Sequence, residues 1–76
     1  MTVKLKVQKS IGYRFHPVDL CRLRESMGLS QAELADKCGW TQQYQSMLET
    51  TDSVEGRDIT PNILRGLLRS GIRLRE

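Results

Sequence analysis

Apolar and polar residues alternate at both ends of the chain. Residues 2–8 place valine and leucine on one side and lysine and glutamine on the other, and residues 72–75 repeat the alternation with isoleucine, leucine and two arginines. This period of two predicts strands with one buried face. Because neither segment is long enough to be stable alone, we expect the two to pair, either within one chain or between two chains.

Between these ends, apolar residues recur every three or four positions, which is the helical period. The pattern predicts four helices, at 17–28, 31–38, 42–49 and 60–70. Residues 50–59 show neither period and are predicted to form a loop. The expected fold class is mainly α: one domain over residues 1–76, with four helices, an N-terminal strand or arm in residues 1–9 and a C-terminal strand in residues 72–75.

The clearest local signals surround the second helix. Ser30 followed by Glu33 is a capping box, which marks the start of that helix, and Gly39 marks its end. Only Gly39, Trp40 and Thr41 separate it from the third helix, with Thr41 as the expected cap. So short a connection predicts that the two helices meet at a steep angle.

Length and composition narrow the range of functions. A chain of 76 residues has little room for an enclosed catalytic cavity, and its sequence offers no nucleophile with a base, no carboxylate pair and no metal-ligand set. We therefore expect a binding module without a cofactor, not an enzyme. Cys21 and Cys38 share the chain with a single histidine, too few ligands for a zinc site, and we interpret both as reduced, buried thiols.

Charge and hydropathy indicate where the protein acts and on what. No apolar run is long enough for a membrane span or a signal peptide, which predicts a cytoplasmic protein with no membrane partner. The formal net charge is +3, and the positive charge is concentrated at the two ends of the chain. A polyanionic partner would suit this distribution.

Two adjacent glutamines, Gln42 and Gln43, open the third helix. A glutamine side chain carries an acceptor beside a donor, which matches the N7 and N6 groups of adenine in the DNA major groove. A steeply held helix can enter that groove with its N-terminal residues foremost. We interpret the pair as base-contacting residues; the alternative is that they are ordinary polar residues of a first turn.

The stretch SQAELADKCGWTQQYQSMLE, residues 30–49, resembles the helix-turn-helix of the Cro/repressor family of phage and bacterial regulators. The matching signature positions are Gln31, Leu34, Ala35, Gly39 and Leu48. The resemblance extends over roughly residues 18–71, and the motif is most similar to that of the lambdoid phage repressors and Cro proteins. It implies a lambda-repressor-like domain that binds double-stranded DNA.

The resemblance implies roles for Gln31, Gln42, Gln43 and the pair Arg24 and Glu49, and the positions of further side chains along the chain suggest roles for them. Base contacts are expected from the first turn and the exposed face of the third helix: Gln42, Gln43, Ser46 and Met47. Contacts to backbone phosphates are expected from Gln31, Thr41, Tyr44 and Arg57. The alternative for Tyr44 is a ring packed at the rim. Arg24 and Glu49 match positions that form an ion pair in related repressors, although each alone is equally consistent with a solvated surface charge.

Two features depart from the family pattern. Gln45 stands where the family has an aliphatic residue, and Trp40 stands where it has a smaller one; we hypothesise that the indole fills the volume under the third helix, with the stem of Gln45 against it. The pattern of residues 1–76 predicts no fifth helix, the element that often forms the dimer in this family. Pairing of residues 2–8 with residues 72–75 is the expected substitute, with the basic side chains outside or on flanking phosphates.

The resemblance implies a transcriptional repressor that acts as a homodimer on an inverted-repeat operator in a bacterial cell. The gene could belong to the host, to a phage or to a mobile element. One alternative is an autoregulator of its own operon, of the antitoxin, restriction-modification controller or anti-CRISPR-associated type. Another is a protein-interaction module that has kept the fold and lost DNA binding. Gene neighbourhood would separate the autoregulator types, and affinity for a protein with none for DNA would establish the interaction module.

Overall fold

Four helices form the centre of the molecule. The computed structural model describes residues 3–9, 11–50 and 56–76. The helices are α1 (Pro17–Ser26), α2 (Gln31–Cys38), α3 (Gln42–Leu48) and α4 (Pro61–Arg69). Short strands surround them, and the predicted mainly α class is confirmed.

The helix ends follow the local capping chemistry. The Ser30 hydroxyl accepts from the Glu33 amide at 3.1 Å, and Glu33 Oε1 accepts from the Ser30 amide at 2.9 Å, so both halves of the capping box are present. The hydroxyls of Thr41 and Thr60 accept from the amides of Tyr44 and Ile63 and so cap α3 and α4, which satisfies backbone N–H groups that have no partner within the helix.

Three helices are shorter than the sequence predicted. Helix α1 ends at Ser26, because Met27 is its cap and Gly28 turns the chain with φ 71°. Helix α3 ends at Leu48 and not at 49, and α4 spans Pro61–Arg69 and not 60–70, because the outer residue in each case is a cap. The apolar period does not distinguish a cap from a first or last helical residue.

The two ends of the chain lie side by side. Strand β1 (Val3–Lys6) pairs in parallel with the last strand, β5 (Ile72–Arg75), with Val3 opposite Ile72 and Leu5 opposite Leu74. This pairing occurs within one chain, so it does not supply the dimer surface that the sequence suggested. It leaves four basic side chains exposed: Lys4, Lys6, Arg73 and Arg75.

A second sheet was not predicted. Strands β2 (Gln8–Lys9), β3 (Tyr13–Phe15) and β4 (Arg57–Asp58) form it in the antiparallel order β2-β3-β4. The prediction that residues 50–59 form a loop was therefore wrong at Arg57–Asp58. Gly56, with φ 85°, precedes β4, and a Cβ there would lie only 2.7 Å from the carbonyl oxygen of Phe15.

One apolar core joins the helices to both sheets. It includes Phe15 from β3, Leu20 from α1, Leu34 from α2, Leu48 from α3 and Leu67 from α4, all 1% exposed or less. Each helix of the motif thus buries one face and leaves the other available. No helix in the described ranges is long and apolar enough to cross a membrane.

Candidate nucleic-acid interface

The connection between α2 and α3 depends on a left-handed residue. Gly39 has φ 85°, and its amide donates to the carbonyl of Ala35 at 2.9 Å, which closes α2. A Cβ at this position would lie 3.0 Å from Arg69 Nη1. Glycine therefore permits both the turn and the close approach of the Arg69 side chain, and α3 begins three residues later.

The first turn of α3 presents its side chains to solvent. Gln42 and Gln43 are both exposed, and so is Thr41 before them. Met47, one turn further along, is 42% exposed, and Ser46 is half-buried. Four of the expected DNA-contacting side chains thus belong to one accessible helix, and its opposite face carries the buried Gln45 and Leu48.

Gln45 is buried at 0% exposure and has two hydrogen-bond partners. Trp40 Nε1 donates to Gln45 Oε1 at 2.8 Å, and Gln45 Nε2 donates to Glu49 Oε2 at 2.6 Å. The hypothesis that Trp40 and Gln45 are neighbours is right, and a hydrogen bond that was not predicted joins them. Because both ends of the amide are satisfied, a polar residue is accepted where the family has an aliphatic one.

The indole of Trp40 lies against α4 as well. A Cβ at Gly66 would overlap the six-membered ring of Trp40, so the ring and the helix backbone are in direct contact. Tyr44 meets the same ring edge to face, with 5.2 Å between centroids and an interplanar angle of 68°. Trp40 therefore connects α3 to α4, a wider role than filling space under α3.

Glu49 is the hub of a polar cluster at the end of α3. Arg24 Nε donates to its two oxygens at 3.0 and 2.8 Å, and Arg24 Nη2 donates at 3.0 Å. Arg24 Nη1 also donates to the carbonyl of Leu29 at 2.8 Å, just before α2. The expected ion pair is thus present, and with side chains 13% and 3% exposed it is not a surface pair.

The cluster keeps Glu49 ionised despite its burial. Desolvation would raise the pKa of this carboxyl, but the hydrogen bonds from Arg24, Gln45 and Gln31 outweigh it and hold the pKa below its ordinary value. Cys21 lies beside the cluster, with its Sγ 3.6 Å from Arg24 Nη2. Burial and the Glu49 carboxylate raise the pKa of the Cys21 thiol.

Gln31 begins α2 and is half-buried. Its Nε2 donates to Glu49 Oε1 at 3.4 Å, so the glutamine expected on a phosphate belongs to the same cluster. Sequence reasoning missed this contact, and it missed the hydrogen bond from Gln45 to Glu49. The spacing of four between Gln45 and Glu49 was the available signal, because residues four apart face each other on a helix.

The remaining expected contacts are more scattered. Thr41 Oγ1 accepts from the Tyr44 amide at 3.1 Å, which leaves its hydroxyl proton free to donate. Arg57 lies in β4 opposite Phe15, apart from α3, and its buried Nε has no hydrogen-bond partner in the structure. Its neighbour Asp58 is paired with Arg14 at 2.8 Å; the other acidic loop residues, Asp52 and Glu55, lie outside the described residues.

Within residues 3–9, 11–50 and 56–76, no three His, Cys, Asp or Glu side chains are grouped to hold a metal ion. Cys21 and Cys38 are free cysteines. Burial raises the pKa of the Cys38 thiol, which favours the protonated form.

Taken together, the short turn, the capped helices and the exposed first turn of α3 define a small helix-turn-helix domain. A family model described as helix-turn-helix matches residues 22–50, from within α1 to the residue after Glu49. This match supports a helix-turn-helix of the Cro/repressor (XRE) type in that part of the chain and, in general terms, a DNA-binding transcription regulator. No curated protein and no solved structure matches the chain significantly.

Proposed function

We propose that the protein is a sequence-specific repressor that binds an inverted-repeat operator as a homodimer, in the cytoplasm of a bacterial cell. One observation carries the proposal: α3 exposes Gln42 and Gln43 in its first turn, and its opposite face is fixed by Leu48 in the core and by the Gln45 amide. An exposed pair of glutamines on a rigid support is suited to base recognition.

Gln42 and Gln43 are the proposed base-contacting residues. Each amide can donate and accept at once and so distinguish adenine from the other bases, a contact that contributes about 1–3 kcal/mol of discrimination. The exposed thioether of Met47 is placed to contact a thymine methyl group one turn further along. Ser46, half-buried beside it, is the fourth candidate for a base contact.

Backbone phosphates are the proposed partners of Gln31, Thr41, Tyr44 and Arg57. Gln31 stands at the first position of α2, where unpaired amides and the helix dipole favour an anion. One proton of its Nε2 is used by Glu49, and the other remains available to a phosphate oxygen. Such contacts fix the register of α3 in the groove without selecting sequence.

Two copies are needed for the proposed operator. One α3 helix covers a half-site, and two half-sites about 34 Å apart place both helices on the same face of the duplex. An inverted repeat requires twofold symmetry between the protomers. Repression would follow from occlusion of a promoter that overlaps the operator.

The test is selection of bound duplexes from a random DNA pool, followed by fluorescence anisotropy on the enriched sequence. Wild type is compared with Gln42→Ala and with a control, Gln8→Ala, which removes an exposed glutamine from β2. We expect an enriched palindrome and a preference that relaxes only in Gln42→Ala. A pool without enrichment would refute the proposal and favour a protein-interaction module.

A further inference from the structure

An open groove of about 550 Å³ runs between the start of α3 and α4. One wall carries Gly39, Trp40, Thr41 and Tyr44, and the other carries Arg65 and Arg69. The groove is continuous with the proposed base-contacting surface, because Thr41 is the residue immediately before Gln42. No role for this groove follows from the sequence motif.

The groove is positively charged. Arg65 and Arg69 are one turn apart on α4 and both are exposed. Neither forms an ion pair with a carboxylate in the described part of the chain, and the described residues that line the groove include no acidic side chain. Two unneutralised guanidinium groups on one wall therefore attract an anion.

The opposite wall is formed by aromatic side chains that other residues hold in place. Trp40 is anchored at both ends, by its hydrogen bond to Gln45 and by its contact with the backbone at Gly66. Tyr44 packs edge to face on the indole. The Arg69 guanidinium lies over the α2–α3 turn, close to Gly39. The two walls are thus tied to the same elements that set the position of α3.

We propose that this groove binds a backbone phosphate of the same duplex whose bases α3 contacts, with Arg65 and Arg69 as the ligands. The inference rests on the proposed function and extends it, because neither arginine belongs to the helix-turn-helix motif. Continuity with Thr41 and charge complementarity favour DNA over a separate partner. Arginine suits the role, since its planar donors bind phosphate oxygens in pairs. The contact fixes the position of α3 along the duplex and leaves base preference unchanged.

The experiment measures how the Kd for the selected duplex depends on salt concentration. Wild type is compared with Arg65→Gln, Arg69→Gln and the double variant. The matched control is Arg22→Gln, an exposed arginine on α1 outside the groove with the same change in net charge. Arg69→Lys retains the charge and tests whether it suffices. Thermal unfolding by circular dichroism shows that each variant is folded.

Each groove substitution should lower the slope of log Kd against log salt by about 1, because one fewer counterion is released per lost phosphate contact. The double variant should lower the slope by about 2. Arg69→Lys should keep a slope close to that of wild type. All variants should select the same palindrome. Equal slopes in the groove variants and wild type, or an equal drop in Arg22→Gln, would overturn the inference. If wild type itself selects no sequence, the proposed function fails and the inference fails with it.

Discussion

Arg24 donates from Nε to both carboxylate oxygens of Glu49, at 3.0 and 2.8 Å, across 25 residues of sequence. The pair ties α1 to the residue that caps the C-terminus of α3, and Arg24 also donates to the carbonyl of Leu29 before α2. One guanidinium therefore holds three helices of the domain in a fixed relation. The angle at which α3 is presented depends on it.

Removal of the carboxylate from this pair should be costly. Glu49→Gln leaves the Arg24 charge almost buried without its partner, and we expect a loss of about 3 kcal/mol in the free energy of unfolding. The control is Asp58→Asn, the same type of change in an exposed pair, where the side chains of Arg14 and Asp58 are 36% and 70% exposed. It should cost less than about 1 kcal/mol. Urea denaturation at neutral pH measures both, and equal costs would show that burial of the Glu49 pair is unimportant.

The same cluster predicts acid sensitivity. The pKa of Glu49 is lower in the folded protein than in the unfolded chain, so its contribution is fully present above the unfolded value and is lost as pH falls through the folded one. Wild type should therefore lose stability below the ordinary range of a glutamate, about pH 4 to 5. Glu49→Gln should show a shallower loss over the same interval. Glu33, whose pKa is also lowered by its hydrogen bonds to Ser30, titrates in both proteins and cancels in the comparison. Parallel pH profiles would contradict the assignment to Glu49.

Local signals predicted the helix-turn-helix because the ends of its helices are set by capping interactions between residues close in sequence. Ser30 with Glu33 starts α2, Gly39 ends it and Thr41 starts α3, and each acts through the nearest backbone groups. The three-stranded sheet gave no such signal. Strands β2 and β4 have two residues each, too few to show a period, and their pairing depends on contacts far apart in the chain.

The candidate site was predictable only on its exposed side. Gln42, Gln43 and Met47 were expected to be accessible from their positions on one helix, and they are. Trp40 was expected beside Gln45, but the hydrogen bonds that satisfy the buried amide, from Trp40 and to Glu49, are recognised only once α3 is formed and packed. The groove at Arg65 and Arg69 depends on how α4 packs against α2 and Trp40, which no local pattern specifies.

The hydrogen bond from Trp40 to Gln45 should be measurable apart from the packing of the ring. Trp40→Phe keeps an aromatic ring but removes the Nε1 donor, so the buried Gln45 oxygen loses its partner. We expect a cost of about 1–3 kcal/mol in unfolding free energy. In Gln45→Leu, which removes that acceptor, the further change Trp40→Phe should cost less by the contribution of the hydrogen bond, and the contact of the larger indole with Gly66 accounts for the cost that remains. A double-mutant cycle by thermal and urea unfolding gives the coupling between the two residues, and a coupling near zero would mean that the bond contributes nothing.

The effect we expect of replacing Gly66 by alanine is the opposite of what helix propensity alone predicts. It lies in the interior of α4, where alanine is normally better than glycine by about 1 kcal/mol. Here a Cβ would overlap the indole of Trp40, whose ring is held by Gln45 and cannot move away without breaking that hydrogen bond. Gly66→Ala should therefore destabilise the domain, by about 1–3 kcal/mol, the usual cost of overpacking.

Gly12→Ala, where a Cβ would meet nothing within 4 Å, is the control and should change stability by less than about 0.5 kcal/mol. The environment of Trp40 gives a second measurement, because its fluorescence should shift in Gly66→Ala and stay constant in Gly12→Ala. A Gly66→Ala variant as stable as wild type, with unchanged fluorescence, would show that the ring does not rest on α4.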